Sequence, residues 1–370
     1  MPATVSLKTL LKDNTGPAAE ALVRAGAGGA VVCLACGHRC KVLDGRSGVC
    51  RVRFNAGGEL RVPGGYVGAL ALDPIEKKPF FHAYPGTEAL SFGMLGCDYH
   101  CGYCQNWVTS QALRDDQAVS APRFLTAERI VEMAVEHGCR VLTSTYNEPL
   151  ITSEWAVEIF KIGKQAGLVG SYVSNGNGTP EVLEFIRPYV DLYKVDLKAF
   201  SDKTYRQLGG VLENTLDTIR RLKQMDFWVE IVTLVIPGMN DGDDELTQIA
   251  EFIAGVSTDI PWHVTAFHPD YKMTDPPRTP VETLLRAAEI GEQAGLHFIY
   301  PGNLPSQVGN GENTRCPDCG EALIERRGFE VTLNRMSGAN CPSCARVVPG
   351  VWQDNPPQRS IGPGLPRRVR

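Results

Sequence analysis

Gly96-Cys97-Asp98-Tyr99-His100-Cys101-Gly102-Tyr103-Cys104 sets three cysteines on one short loop, directly after a short apolar run at 89–95 that reads as a strand. Three closely spaced thiolates on a loop suit an iron–sulfur cluster, whose irons are normally held by cysteine sulfur. If the loop supplies only three ligands to a four-iron cubane, one iron stays open to something else. The other reading is zinc, either with His100 as a fourth ligand or in a catalytic site with three protein ligands.

Downstream of the loop, strand-like and helix-like stretches alternate. Strands are expected at 140–146, 168–173, 190–197, 227–236, 262–267 and 297–300. Between them lie helical patterns at 126–137, 153–166, 201–207, 213–225, 243–254 and 280–294, with a further helix start at Thr179-Pro180-Glu181. Repeated strand–helix alternation means a parallel sheet, wound open or closed into a barrel, whose active face lies at the strands' carboxyl ends.

The chain has 370 residues, 37 basic against 42 acidic, for a net charge of −5. That balance argues against a general nucleic-acid or anionic-membrane binder, which needs a broad positive field. A 43% hydrophobic and 21% charged composition is that of a folded soluble chain. No apolar run approaches the roughly 18 residues of a membrane span, and the first thirty residues lack a secretory apolar region, so the cytosol is the expected compartment. Residues 1–86 read as a Cys-rich metal-binding segment, 87–305 as the barrel and 306–350 as a small third unit. Residues 351–370, proline-rich with Arg359, Arg367, Arg368 and Arg370, read as a disordered basic tail.

The remaining cysteines are grouped as well. Cys316-Pro-Asp-Cys319 and Cys341-Pro-Ser-Cys344 are two knuckles of a four-thiolate ribbon, a pattern for structural zinc. Cys33, Cys36, Cys40 and Cys50, with His38 nearby, fit zinc or a second iron–sulfur cluster equally by thiolate number. Cys139 stands alone and suits a small buried apolar site. A disulfide framework is disfavoured in a large chain without an export signal. Glu76, Lys77 and Lys78 read as a solvated charged turn.

The triplet at the end of a first strand, with an aromatic before its last cysteine, resembles the radical S-adenosylmethionine (SAM) superfamily over about 90–305. Within it the chain is similar to relatives of pyruvate formate-lyase activating enzyme, and most to the radical SAM enzymes of the AmmeMemoRadiSam system. The stretches that carry this are Asp73-Pro-Ile-Glu-Lys-Lys-Pro79, Gly96 to Trp107, Thr145-Tyr-Asn-Glu-Pro149 and Ser174-Asn-Gly176, then Asp196-Leu-Lys198, Val235-Ile-Pro-Gly238, Phe267-His-Pro269 and Tyr300-Pro-Gly-Asn303.

The resemblance implies an α/β fold, a partial (β/α)6 radical SAM barrel carrying a [4Fe–4S] cluster on Cys97, Cys101 and Cys104, with SAM on the open iron. It implies a radical SAM oxidoreductase that reductively cleaves SAM and abstracts a hydrogen atom, with a flavodoxin- or ferredoxin-like electron donor and a partner protein made into a glycyl radical. The other enzymatic substrate is a small molecule or RNA base, and the non-enzymatic alternative is an iron–sulfur or zinc scaffold. By the same resemblance Glu148, beside Asn147, meets the SAM ammonium, although Tyr146-Asn147 stands where many members have Gly-Gly. Ser174 and Asn175 meet the SAM carboxylate or ribose, and Tyr103 packs near the adenine. Asp196 and Lys198, two apart on one strand and so on one face, grip the SAM zwitterion or form an internal ion pair. His268 is placed beside SAM, with His263 as its competitor.

Overall fold

The computed structural model describes residues 7–369 apart from Val119 and Ser337. Seven parallel strands succeed one another in chain order: β1 (Glu88–Gly93), β2 (Val141–Ser144), β3 (Val169–Ser174), β4 (Leu192–Asp196), β5 (Trp228–Val235), β6 (Trp262–Ala266) and β7 (Ile299–Gly302). Each ladders with its neighbours in sequence, and among the described residues none closes β7 onto β1. The sheet is therefore an open, partial (β/α)6 barrel with a seventh strand.

Helices fill every crossover: α1 (Ala127–Glu136), α2 (Ser153–Gln165), α3 (Pro180–Ile186), the pair α4 (Asp202–Leu208) and α5 (Leu212–Gln224), α6 (Asp243–Val256) and α7 (Val281–Gln293). Their starts follow from local chemistry. The Thr126 hydroxyl accepts from the Arg129 amide at 3.2 Å, and the Thr179 hydroxyl from the Val182 amide at 3.2 Å ahead of Pro180, satisfying otherwise orphaned donors. On α6, Leu246, Ile249, Ala250 and Ile253 are fully buried against the sheet, a spacing of three and four residues. Parallel strands covered on both faces read as near-continuous apolar runs, and all six residues of β1 are buried.

The sheet extends beyond the barrel at its first edge. Ala69–Pro74 pairs antiparallel with β1, from Ala69 opposite Gly93 to Pro74 opposite Glu88. The ladder thus crosses the 86/87 division expected from sequence. Outside it, Arg367 and Arg368 pair with Leu72 and Ala71. The expectation of a disordered tail over 351–370 is thereby corrected for the described residues. Asn334 N–H donates to Gln358 O, Ser360 N–H to Val331 O and Ile361 N–H to Gly86 O, each at 2.9 Å, while Arg367 ion-pairs with Glu88. An exposed sheet edge recruits any strand that can pair with its free amides and carbonyls, and that pairing needs no apolar periodicity.

The flanking units are small sheets. Val23–Ala25, Val31–Cys33 and Lys41–Val42 form one at the front, and Thr314–Arg315, Ala322–Arg327 and Glu330–Asn334 one at the back. The back unit shares a core with the barrel: Leu323, Ile324 and Val331 pack with Phe81, Phe298 and Tyr300. Among the described residues no helix is long and apolar enough to cross a membrane.

Deleting residues 357–370 uncovers the Ala69–Pro74 edge. The expected outcome is a melting temperature lower by a few degrees and a greater tendency to self-associate, read by thermal denaturation and light scattering; an unchanged melt removes any stabilising part for the tail.

Candidate cluster and cofactor site

The loop after β1 is shaped by close approach. Gly96 has φ +93°, and a Cβ there would lie 2.8 Å from Val52 Cγ1 and 3.1 Å from the Cys50 carbonyl oxygen, so only glycine fits. Beyond it Cys101 is buried, while Cys97 and Cys104 are partly so. Tyr99 N–H points at Cys97 Sγ (3.4 Å), and Ser110 Oγ lies 3.2 Å from Cys104 Sγ. Burial pushes the Cys101 thiol up to about 11, against the nearby Lys198 charge. Thiols this dry become thiolates when a metal takes the charge, which suits a cluster site. His100 does not join them. Its side chain is exposed and its ring lies against Gly209, the left-handed cap of α4, so the reading of His100 as a fourth zinc ligand fails.

Cys101 and Cys104 open onto a cavity of about 380 Å³ at the strands' carboxyl ends. Tyr103, Asp196 and Lys198 line it. So does Lys194, which the sequence reading missed although 194 and 196 share one side of β4 and 198 follows it at the same spacing. Asp196 is shared: one carboxylate oxygen pairs with Lys194 and the other with Lys198 at 3.3 Å. Burial pulls the Lys194 ammonium below its ordinary range; for Lys198 the Asp196 charge overcomes burial and holds it above.

The opposite wall comes from the segment ahead of the barrel. Asp73 pairs with Lys77 at 2.8 Å and with Lys78 at 2.5 Å, and the Tyr146 hydroxyl donates to it. The expectation of a solvated turn at 76–78 is corrected here: Glu76 and Lys78 are buried, because the strand Ala69–Pro74 carries them onto the cavity. Four lysines thus share two aspartates, and the buried carboxyls of Glu76 and Glu312 stand on the same walls. Tyr146 itself has φ +69°, a strain of about 1–2 kcal/mol for a residue with a Cβ. The Thr109 hydroxyl, donating to its carbonyl at 2.6 Å, holds that turn.

The other predicted contacts stand behind the cluster loop. Glu148 accepts from Ser174 Oγ (2.7 Å), Asn175 N–H (2.8 Å) and Leu150 N–H (3.1 Å). Asn147 Oδ1 accepts from Met94 N–H at 3.0 Å, and Asn175 Nδ2 donates to Asp98 at 2.7 Å. Burial, followed by the charge of Asp98, pushes Glu148 up to about 8. These four side chains form one knot beside the loop, outside the residues lining the cavity. His268 is exposed and meets Gln105 at 3.3 Å, whereas His263 lines the cavity and is bonded to buried Glu230 at 2.7 Å.

The C-terminal cysteines converge: Cys316 and Cys344 Sγ lie 3.5 Å apart, Cys319 and Cys341 Sγ 3.7 Å apart, and all four within 4.8 Å of one another, compatible with a tetrahedral zinc site. The N-terminal unit meets the cluster loop directly, as the Gly96–Cys50 approach shows.

The family model of the radical SAM superfamily matches residues 93–253. An uncharacterised protein of Methanocaldococcus jannaschii is 38% identical over 322 residues, 86% of this chain and 95% of that one. The pyruvate formate-lyase 1-activating enzyme of Escherichia coli is 25% identical over 238 residues, 58% of this chain and 93% of the enzyme. Among solved structures, a radical SAM methyltransferase from Sphaerobacter thermophilus has a TM-score of 0.44 at 19% identity, covering 60% of this chain and 68% of its own. A domain of pyruvate-formate lyase-activating enzyme from Bacteroides vulgatus has a TM-score of 0.38 at 20% identity, covering 44% and 98%. The chain belongs to the radical SAM superfamily, and its homologues include the pyruvate formate-lyase-activating enzymes. Membership implies a [4Fe–4S] cluster and SAM.

Burial raises Glu76 from 4.5 to about 7, opposed by Arg326, whose Nε stands 3.7 Å away. A carboxyl raised in the folded state contributes stability below its ordinary value and loses it as pH climbs toward 7. Relative to the native chain, Glu76→Gln is therefore expected to gain stability between pH 4.5 and 7 in urea denaturation. A difference independent of pH over that window contradicts the assignment.

Proposed function

We propose that this chain is a radical SAM oxidoreductase of the activating-enzyme kind, which reductively cleaves SAM and takes a hydrogen atom from a partner protein. One observation carries the reading: Cys101 and Cys104 share a single cavity with Tyr103, Asp196 and Lys198 at the barrel mouth. Cys97, Cys101 and Cys104 would hold the cluster, leaving one iron for SAM. The cluster held there would supply the one electron that reductive cleavage of SAM to methionine and a 5′-deoxyadenosyl group requires.

The chain's own residues position the rest. Lys194 and Lys198, only half neutralised by Asp196, offer charge-assisted bonds to the SAM carboxylate, and Asp196 accepts from its ammonium. Tyr103 supplies an apolar ring face to the adenine. Lys78 and Tyr146, both held by Asp73 behind them, and the hairpin residues Gly328 and Phe329 wall the cavity and exclude water from a radical. The similarity to the E. coli activating enzyme, over 93% of its length, supports a protein as hydrogen donor and a glycyl radical as product. We assign Cys316, Cys319, Cys341 and Cys344 to a structural zinc.

Anaerobic reconstitution with iron and sulfide, reduction and addition of SAM should yield 5′-deoxyadenosine. Cys101→Ala is expected at background and Lys198→Met at about a tenth of native turnover or less, the worth of one charge-assisted bond. No product above the Cys101→Ala control sinks the reading. Cys341→Ser is expected to lose about one zinc and to melt at a lower temperature while keeping its iron.

A further inference from the structure

We propose that Cys33, Cys36, Cys40 and Cys50 hold a second iron–sulfur cluster, not zinc, which passes electrons to the cluster on the Cys97 loop; its use as a relay rests on the function proposed above.

The chain contains its own standard of comparison. Tetrahedral zinc draws four sulfurs to within bonding reach of a single ion. Among the described residues, the C-terminal four are the group of three or more metal-capable side chains whose ligand atoms all lie within 4.8 Å of one another. Neither the Cys97 triplet nor any three of the N-terminal four gather to that spacing. The N-terminal set therefore goes with the triplet, spread for a group larger than one ion. It is nonetheless a single assembly. Cys33 N–H donates to the Cys40 carbonyl at 2.9 Å, the amide of Val49, next to Cys50, points at Cys40 Sγ at 3.5 Å, and Cys50 shares an apolar cluster with Cys36.

Donors are aimed at the sulfurs. Arg53 Nη1 stands 3.6 Å from Cys33 Sγ, and Val49 N–H 3.5 Å from Cys40 Sγ. Arg53 is 1% exposed, anchored by Ile151 O at 2.8 Å and ion-paired with Glu154, so its guanidinium is held in place beside the thiolates. Hydrogen bonds to sulfur and exclusion of solvent are the protein's means of setting a cluster's potential.

The position is that of a relay. Gly96, the residue before Cys97, approaches the Cys50 backbone directly. Arg114 bonds the Cys97 carbonyl at 2.7 Å, the Tyr99 carbonyl at 3.0 Å and the Val49 carbonyl at 2.7 Å, tying the two cysteine loops together. On the outer side Lys41, Arg46 and Arg51 are exposed in the same stretch as Leu43 and Val49, 55% and 44% exposed, with Asp44 the one exposed acid of residues 41–51, on a chain of net charge −5. This local basic and apolar face fits an acidic one-electron carrier of flavodoxin or ferredoxin kind. One electron enters from the reduced carrier, which is left oxidised. The second cluster is reduced and then reoxidised as the same electron moves to the central one, and no atoms are transferred.

The test removes the central ligands. Cys97→Ser/Cys101→Ser/Cys104→Ser is reconstituted anaerobically, metals are counted, and the reduced protein is examined by electron paramagnetic resonance. About four irons with a reduced-cluster signal, and about one zinc, are expected; two zincs and no iron overturn the proposal. Should that variant not fold, the native chain decides: about eight irons and one zinc against about four irons and two zincs. These counts stand whether or not SAM is cleaved, so failure here and failure of the proposed function are distinguishable. For the relay, Lys41→Glu/Arg46→Glu is compared with native protein during reduction of the central cluster. Reduction by a reduced flavodoxin is expected to slow about ten-fold, with dithionite reduction unchanged. Equal flavodoxin rates in the two proteins remove the relay.

Discussion

Asp98 fixes the loop on which everything at the barrel mouth depends. It lies between the first two cysteines of the triplet, is fully buried, and accepts from Asn175 Nδ2 at 2.7 Å and Asn177 Nδ2 at 2.8 Å. A buried carboxylate is costly unless its oxygens are satisfied, so the loop is held to the end of β3 by the need to pair both. Gly37 N–H donates to the Asn177 carbonyl at 2.8 Å, which brings the N-terminal cysteine loop onto the same anchor. The Glu148 knot leans on it too. Two carboxylates so near each other cannot both ionise cheaply, and burial together with the charge of Asp98 pushes Glu148 up to about 8.

The open side of the barrel poses the second constraint. Without a ladder from β7 to β1, the interior between them faces solvent unless another unit covers it. The back sheet does so. Arg326, buried in its hairpin, donates to Phe81 O at 2.7 Å and Thr314 Oγ1 at 2.8 Å and stands beside Glu76. Glu230 accepts from the Phe81 and His82 amides, both at 2.9 Å, and ties the same segment to β5. The four-cysteine knuckle is thereby coupled to the cavity wall through packing and ion pairing, well away from the chemistry itself.

Much of this was legible before any coordinates. Every barrel strand and every crossover helix falls where hydrophobic period and capping residues placed it, because parallel strands buried on both faces and amphipathic helices leave unmistakable patterns. The triplet was legible as well, since three thiolates in close spacing have few other uses. The charged residues were not. Lys78 and Glu76 look like any exposed turn until the strand Ala69–Pro74 docks beside β1, and Lys194 was passed over because its neighbours carried the family resemblance. The tail misled for a related reason: its order comes from backbone pairing with an edge, which composition does not record.

The sequence by itself determined the elements, their order, the kinds of metal donor and the superfamily, all of which follow from local spacing and side-chain chemistry. Only the tertiary structure decided which thiols gather within 4.8 Å of one another and which stay spread, and that His100 turns away. It also decided that Asp73 and Asp196 must each serve two of the four lysines that line one cavity. Those outcomes depend on distances between residues far apart in the chain, set by packing and by the cost of leaving buried charge unpaired, and neither is written in any one stretch of residues.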